Sequence, residues 1–169
     1  MLNRLRVAVA ILTLLGAASC GSTSSGVSLP IEYNGTFTEH YEVTALWGAQ
    51  GTCVSDVAED GVLLLSPDGV ATFTHPDRTM DFKHDAAGEC QYARQDVSGA
   101  SRTSSGRHDS KSALEVVRKD ARGHNRTYTG SFGRSQASFS GAYSGEDEIS
   151  GWRWSIRITA SFTGTPAGL

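Results

Sequence analysis

The sequence has few of the residues that announce chemistry. Its three cysteines include no C-x-x-C pair and have no histidine at ligand spacing, which argues against a zinc site. Its five histidines, His40, His75, His84, His108 and His124, contain no H-x-H or H-E-x-x-H pattern. Glycine is frequent, yet no glycine-rich loop precedes a helical pattern, so no phosphate cradle is expected. Gly133-Arg134-Ser135-Gln136-Ala137 lacks the final glycine of a nucleophile elbow and precedes a strand pattern instead of a helix. Glu146-Asp147-Glu148 has no Asp-x-Asn/Asp-x-Asp-Gly loop around it and reads as a solvated hairpin tip, not a calcium site. The expectation is a non-enzymatic protein with no catalytic residue, no metal and no cofactor. After Cys20 no apolar run is long enough for a membrane-spanning helix.

The N-terminus is informative. Met1–Arg6 carries Arg4 and Arg6 and no acid; Val7–Leu15 is almost wholly apolar; Gly16, Ala17, Ala18 and Ser19 are small and precede Cys20. This is the order of a secretion signal: a positive region, an apolar helix and a small-residue cleavage site. Residues 1–19 are therefore expected to be removed on export. Leu15-Gly16-Ala17-Ala18-Ser19-Cys20 resembles the lipobox of bacterial lipoproteins, departing from it at Ala17, where that family prefers Leu. The resemblance implies a diacylglycerol on the Cys20 sulfur and, often, an acyl chain such as palmitate on its amine. Ala17 and Ser19 would also suit an ordinary signal peptidase cutting at the same bond. Gly21 stands where an inner-membrane retention Asp would, which by resemblance points to the outer membrane of a Gram-negative cell.

Acylation of Cys20 would leave an even pair, Cys53 and Cys90, which an oxidising compartment would join. Such a cross-link contributes roughly 3–4 kcal/mol on the loop-entropy model; two buried thiols are the alternative. Residues 20–30, rich in Ser, Gly and Thr, read as the lipid-bearing cysteine and a flexible tether, and 31–166 as one domain. A Ser/Gly/Arg-rich stretch at 98–112 reads as a mobile loop within it.

Charge is segregated. Glu32–Gln91 holds 11 acids and two bases, whereas Tyr92–Arg134 holds nine bases and four acids. One reading places acidic and basic surfaces side by side. A sharper one makes Arg102, Arg107, Lys111, Arg118, Lys119 and Arg122 a basic patch for an anionic surface. A net-acidic domain tethered to an envelope argues against nucleic acid as a partner.

Period-two alternation places Trp152, Trp154, Ile156, Ile158, Ala160 and Phe162 on one face of a strand. It does the same for Tyr33, Phe37, Tyr41, Val43, Ala45 and Trp47. Val62–Leu65 and Val70–Thr74 flank Ser66-Pro67-Asp68-Gly69; a Gly bulge there would align Leu63, Leu65, Ala71, Phe73, Met80 and Phe82, and a tighter turn would align Val62 and Leu64 instead. His75-Pro76-Asp77-Arg78 reads as a second turn before Thr79–Lys83. Further strands are expected at Glu89–Arg94, Ala113–Arg118, Arg126–Phe132 and Gln136–Tyr143.

An aromatic-x-Gly-x-aromatic motif recurs at Tyr33–Phe37, Tyr128–Phe132 and Phe139–Tyr143, with the glycine on the aromatic face. Such glycines let an antiparallel sheet curl and close. The expected fold is all-β: a single antiparallel meander forming a small barrel of eight to ten strands rather than a two-sheet sandwich. The aromatic-Gly starts and the long final strand bearing Arg157 resemble the calycin group, which includes lipocalins and avidins, and the resemblance carries the fold alone. Two functions follow from a tethered barrel. It binds a small apolar ligand or a partner at its mouth, with Trp47, Trp152 and Trp154 as liners, or it is filled and acts through its outer surface. An open cavity would favour the first, a side-chain-filled interior the second. An enzyme built from scattered residues is the third reading.

Overall fold

A computed structural model describes residues 26–46, 52–84, 90–119, 124–149 and 152–168, and gives the backbone alone for 78–84, 90–99, 147, 149 and 152. Eight strands follow in chain order: β1 (Ile31–Ala45), β2 (Thr52–Leu65), β3 (Val70–His84), β4 (Cys90–His108), β5 (Ala113–Lys119), β6 (Asn125–Phe132), β7 (Ala137–Ile149) and β8 (Trp152–Pro166). Each pairs antiparallel with the next, and β8 returns to β1, so the meander closes into a barrel. The expected fold class is therefore found, with no helix among the described residues.

Alternation along the strands builds the interior. On β1, Tyr33, Phe37, Val43 and Ala45 are buried; on β8, Trp154, Ile158, Ala160 and Phe162 are. The β2–β3 connection settles its own register. Ser66 N–H donates to Val70 O at 2.9 Å, Gly69 N–H to Ser66 O at 3.1 Å, and Gly69 has a φ of 86°. This is a three-residue turn ending in a glycine bulge. It aligns Leu63, Leu65, Ala71 and Phe73 inward, all buried; Met80 and Phe82 lie outside the described side chains.

Four rings form the heart of the larger apolar cluster. Phe73 meets Phe37, Phe139 and Phe162 edge-on, at centroid distances of 5.2, 4.9 and 5.1 Å, and Phe139 stacks on Phe162 at 5.2 Å. Val27 and Leu29, just before β1, pack onto this cluster and close that end of the barrel. The Tyr33 hydroxyl donates to Gly133 O at 2.9 Å, and Arg134 Nε to Gly26 O at 2.9 Å, so the β6–β7 turn is tied to the N-terminal segment.

Three expectations are corrected. His75–Arg78 is not a turn: β3 runs through it, and the proline is absorbed by a register shift against β4 between Pro76 and Arg78. The stretch 98–112 is strand up to His108, paired with β3 and, over Ser105–His108, with β5; only Asp109–Ser112 turn. Its small residues suit a wall with crowded neighbours: Ser104 is buried against the lumen. Glu146–Glu148 belong to β7 and are not a loop tip.

The motif glycines stand where a neighbouring strand crosses closely. A Cβ on Gly130 would lie 1.9 Å from Ser138 O, and one on Gly35 would lie 2.0 Å from Thr163 O. Gly130→Ala is expected to destabilise the domain by about 1–3 kcal/mol, the usual cost of overpacking. A lowered urea midpoint checks this, and an unchanged midpoint would mean the strands separate freely there.

Candidate functional site

Above the phenylalanine cluster the lumen turns polar. β1 contributes Glu39 and Tyr41, β2 Glu59, β3 His75 and β5 Arg118, all from inward positions of their strands. Glu39 and Arg118 are each 6% exposed, and Arg118 Nη1 donates to Glu39 Oε1. In the closed order of eight, β1 and β5 are four strands apart in either direction, so this ion pair spans the barrel. Tyr41 donates its hydroxyl to the other carboxylate oxygen, Glu39 Oε2, at 2.8 Å. Arg118 also lies 5.8 Å from the Phe37 ring centroid.

His75 and Glu59 make a second pair one level away, Nδ1 to Oε1 at 2.6 Å, with side chains 2% and 3% exposed. The imidazole lies over Phe37 and Phe73, at centroid distances of 5.1 and 5.5 Å. Burial is the largest single influence on Arg118 and works to lower its pKa, but the charge and hydrogen bond of Glu39, with Tyr128 and Tyr41, together outweigh it and hold the guanidinium above its ordinary value. Burial, with the Glu39 charge, pushes the Tyr41 phenol up; burial also raises Tyr128. Both phenols therefore stay neutral. The space among these groups measures about 10 Å³, room for one water molecule and no organic ligand.

Beyond this layer lies a smaller apolar cluster of Val43, Ala45, Cys53 and Trp154, with Ile156 partly buried against it. Of the three tryptophans expected to line a mouth, Trp154 does face inward here, and Trp47 and the Trp152 side chain lie outside the described residues. Cys53 is wholly buried. Cys20 and the Cys90 side chain lie outside the described residues.

Among the described residues, three members of the expected basic patch are taken up by carboxylates. Arg118 is the interior partner of Glu39; Arg102 is paired with Asp77 at 2.9 Å, both partly buried; Arg107 is paired with Glu115 at 3.1 Å. Lys111 and Lys119 are exposed, and Arg122 lies outside the described residues. Sequence reasoning missed Glu39, Glu59, His75 and Arg118 as a group. The signal was there: an acidic stretch followed by a basic one, each with a charged residue in phase with its strand's apolar face.

Outside, a trough of roughly 670 Å³, open to solvent, crosses β2, β1, β8 and β7 and is lined by Thr38, His40, Asp56, Ser140, Thr159 and Ser161 among others. Thr38 and Ser161 share a hydroxyl hydrogen bond of 2.8 Å. His40 Nδ1 lies 2.7 Å from Asp56 Oδ1, and Nε2 lies 3.6 Å from Glu42 Oε1, while the other oxygen of that carboxylate accepts from Arg157 Nη1 at 3.2 Å. No cluster able to hold a metal occurs among the described residues.

Removing one end of the cross-lumen pair is expected to cost about 3–5 kcal/mol, because the other charge stays buried. Arg118→Met alone should therefore lower the unfolding free energy sharply, and Glu39→Leu with Arg118→Met should recover most of the loss; equal losses for single and double variants would mean the layer is hydrated. His40 is held above its ordinary value of 6.5, first by its hydrogen bond to Asp56. A raised folded pKa means that its contribution is fully present below about 6.5 and fades as pH rises through the folded value. An NMR titration should find His40 above 6.5 and Asp56→Asn should bring it down; no change would detach the histidine from that carboxylate.

The chain matches no protein-family model and shows no significant similarity to a curated protein.

Proposed function

We propose that this protein is an exported, non-enzymatic envelope lipoprotein, anchored through acyl chains on Cys20, whose calycin-like barrel acts through its outer surface on another envelope component. One observation carries the surface reading: the described lumen is occupied by side chains. The phenylalanine cluster fills one half, the Glu39–Arg118 pair crosses the middle, and the space between the polar groups is about 10 Å³. A barrel that carries an apolar ligand needs a pocket of roughly 300 Å³ or more. The outer trough offers such a volume, on a face of hydroxyls and small side chains.

The anchor rests on the lipobox resemblance. Two or more acyl chains would hold the protein stably, each buried methylene adding about 0.8 kcal/mol. In the same reading Cys53 pairs with Cys90. In support, Cys53 is near the start of β2 and fully buried, and β4 begins at Cys90, both toward the end of the barrel that carries the β1–β2 and β3–β4 connections. A second reading, a small apolar ligand at that end, is favoured by the inward Trp154 beside Val43 and Ile156.

Intact mass of the membrane-extracted protein tests the proposal. The expected species starts at Cys20, carries diacylglycerol and an acyl chain, and gains two hydrogens on reduction. Cys20→Ser should leave the membrane fraction. A species retaining Met1 with three free thiols would overturn the anchor and the cross-link together. A stoichiometric apolar molecule co-purifying with the protein would replace the surface reading with the ligand one.

A further inference from the structure

The polar layer has one feature that its ion pairs do not account for. His75 is enclosed, yet neither ring nitrogen completes a hydrogen bond to the protein, although Nδ1 lies 2.6 Å from Glu59 Oε1; Arg118 Nε, also buried, has none either. A buried polar atom without a hydrogen bond costs about 1–3 kcal/mol, so several such atoms in one layer call for a partner. Both residues line the same small cavity, together with Glu39, Tyr41, Glu59 and Pro76. Its volume, about 10 Å³, is close to the room that one water molecule needs. Its wall supplies donors from Arg118 and acceptors from the two carboxylates, and an internal water typically makes about three hydrogen bonds. An apolar occupant would leave these groups unsatisfied, and an organic ligand does not fit.

We propose that this cavity is a binding site for a single internal water, which joins the Glu39–Arg118 and Glu59–His75 pairs into one hydrogen-bonded unit. The water would link β1 and β5 to β2 and β3 at the level where the lumen changes from apolar to polar. The layer would then respond as a whole: loss of either ion pair would also remove a partner of the water and so weaken the other pair. This inference concerns the interior only and stands whether or not the outer surface has the role proposed above.

The test uses the full mature chain in detergent. Water oxygen-17 relaxation dispersion should report a long-lived internal water, and the count should fall by one in His75→Phe, which removes the imidazole nitrogens. A crystal structure of the unmodified protein should show one density peak within hydrogen-bond distance of His75 Nε2 or Arg118 Nε. Effects of His75→Phe and Glu39→Gln on unfolding free energy should be non-additive. Should His75→Phe fail to fold, the crystal density of the unmodified protein decides alone. A cavity without density, or one filled by a shifted Arg118 side chain, would overturn the proposal, as would equal water counts in the two folded proteins.

Discussion

A carboxylate and a guanidinium facing each other across the lumen set the terms for the rest of this barrel. Both are almost fully removed from water, so each would be costly alone. Arg118 meets one oxygen of Glu39 and the Tyr41 hydroxyl meets the other, so the buried carboxylate has a partner at each oxygen. The pair also has a geometric demand: β1 and β5 must lie opposite each other, and both strands must hold a register that points these two side chains inward. A slip of one residue in either strand would turn its charge outward and its partner into an unpaired ion. The pair is thus weak evidence for stability but strong specification of closure, because an open sheet would not bring β1 and β5 together.

The strand ladders show why such specification matters. β1 pairs over most of its length with both β2 and β8, as does β7 with β8. In contrast, the ladder between β2 and β3 covers Val62–Leu65 with Ala71–Thr74, and that between β6 and β7 covers Thr129–Phe132 with Ala137–Ser140, among the described residues. These two ladders, like the equally short one between β4 and β5, lie toward the closed end. Where each stops, side chains take over. Glu59 reaches His75 across the β2–β3 seam, and the Arg126 guanidinium lies 5.0 Å from the Tyr143 ring centroid across the β6–β7 seam. Backbone pairing and close glycine crossings hold one half of the barrel; charged and aromatic contacts hold the seams of the other.

The division explains what could be read from the sequence. Period-two alternation was clear in β8 and β1, where apolar residues dominate the inner face; the phase of β3 stayed open between a glycine bulge and a tighter turn, and the hydrogen bonds of Ser66 and Gly69 decide for the bulge. The aromatic-x-Gly-x-aromatic motifs pointed to a curled sheet, and the crossings at Gly35 and Gly130 are its cause. The first ten residues of β2 escaped notice because their inward positions hold Cys53, Ser55, Val57, Glu59 and Gly61, a mixed set with no hydrophobic period. The second half of β4 escaped for a related reason: inward Ser104 and Gly106 are small because space is tight, and a row of Ser, Gly and Arg resembles a loop by composition. Pro76 looked like a turn residue because proline rarely sits in a paired strand; a register shift accommodates it here. Arg118 was legible only as part of a basic stretch, since its direction depends on the strand's phase and its partner is 79 residues away.

The closed end also constrains how the domain can sit if Cys20 carries lipid. Val27 and Leu29 are buried against the apolar cluster at that end, and Arg134 holds Gly26 there. Six residues separate Cys20 from Val27, a span of at most about 25 Å even when fully extended. The anchored end would therefore be the filled one, carrying the β2–β3, β4–β5 and β6–β7 turns. The polar layer, Trp154 and the outer trough would lie progressively farther from the bilayer or along its flank. A lipid tail entering such a barrel from the membrane side would meet Phe37, Phe73, Phe139 and Phe162 in mutual contact and, behind them, an ion pair that spans the lumen. To pass, it would have to separate the aromatic cluster and desolvate a charge pair at once. The same features that close the barrel thus argue against a conduit and leave the exterior as the surface through which a partner can be met.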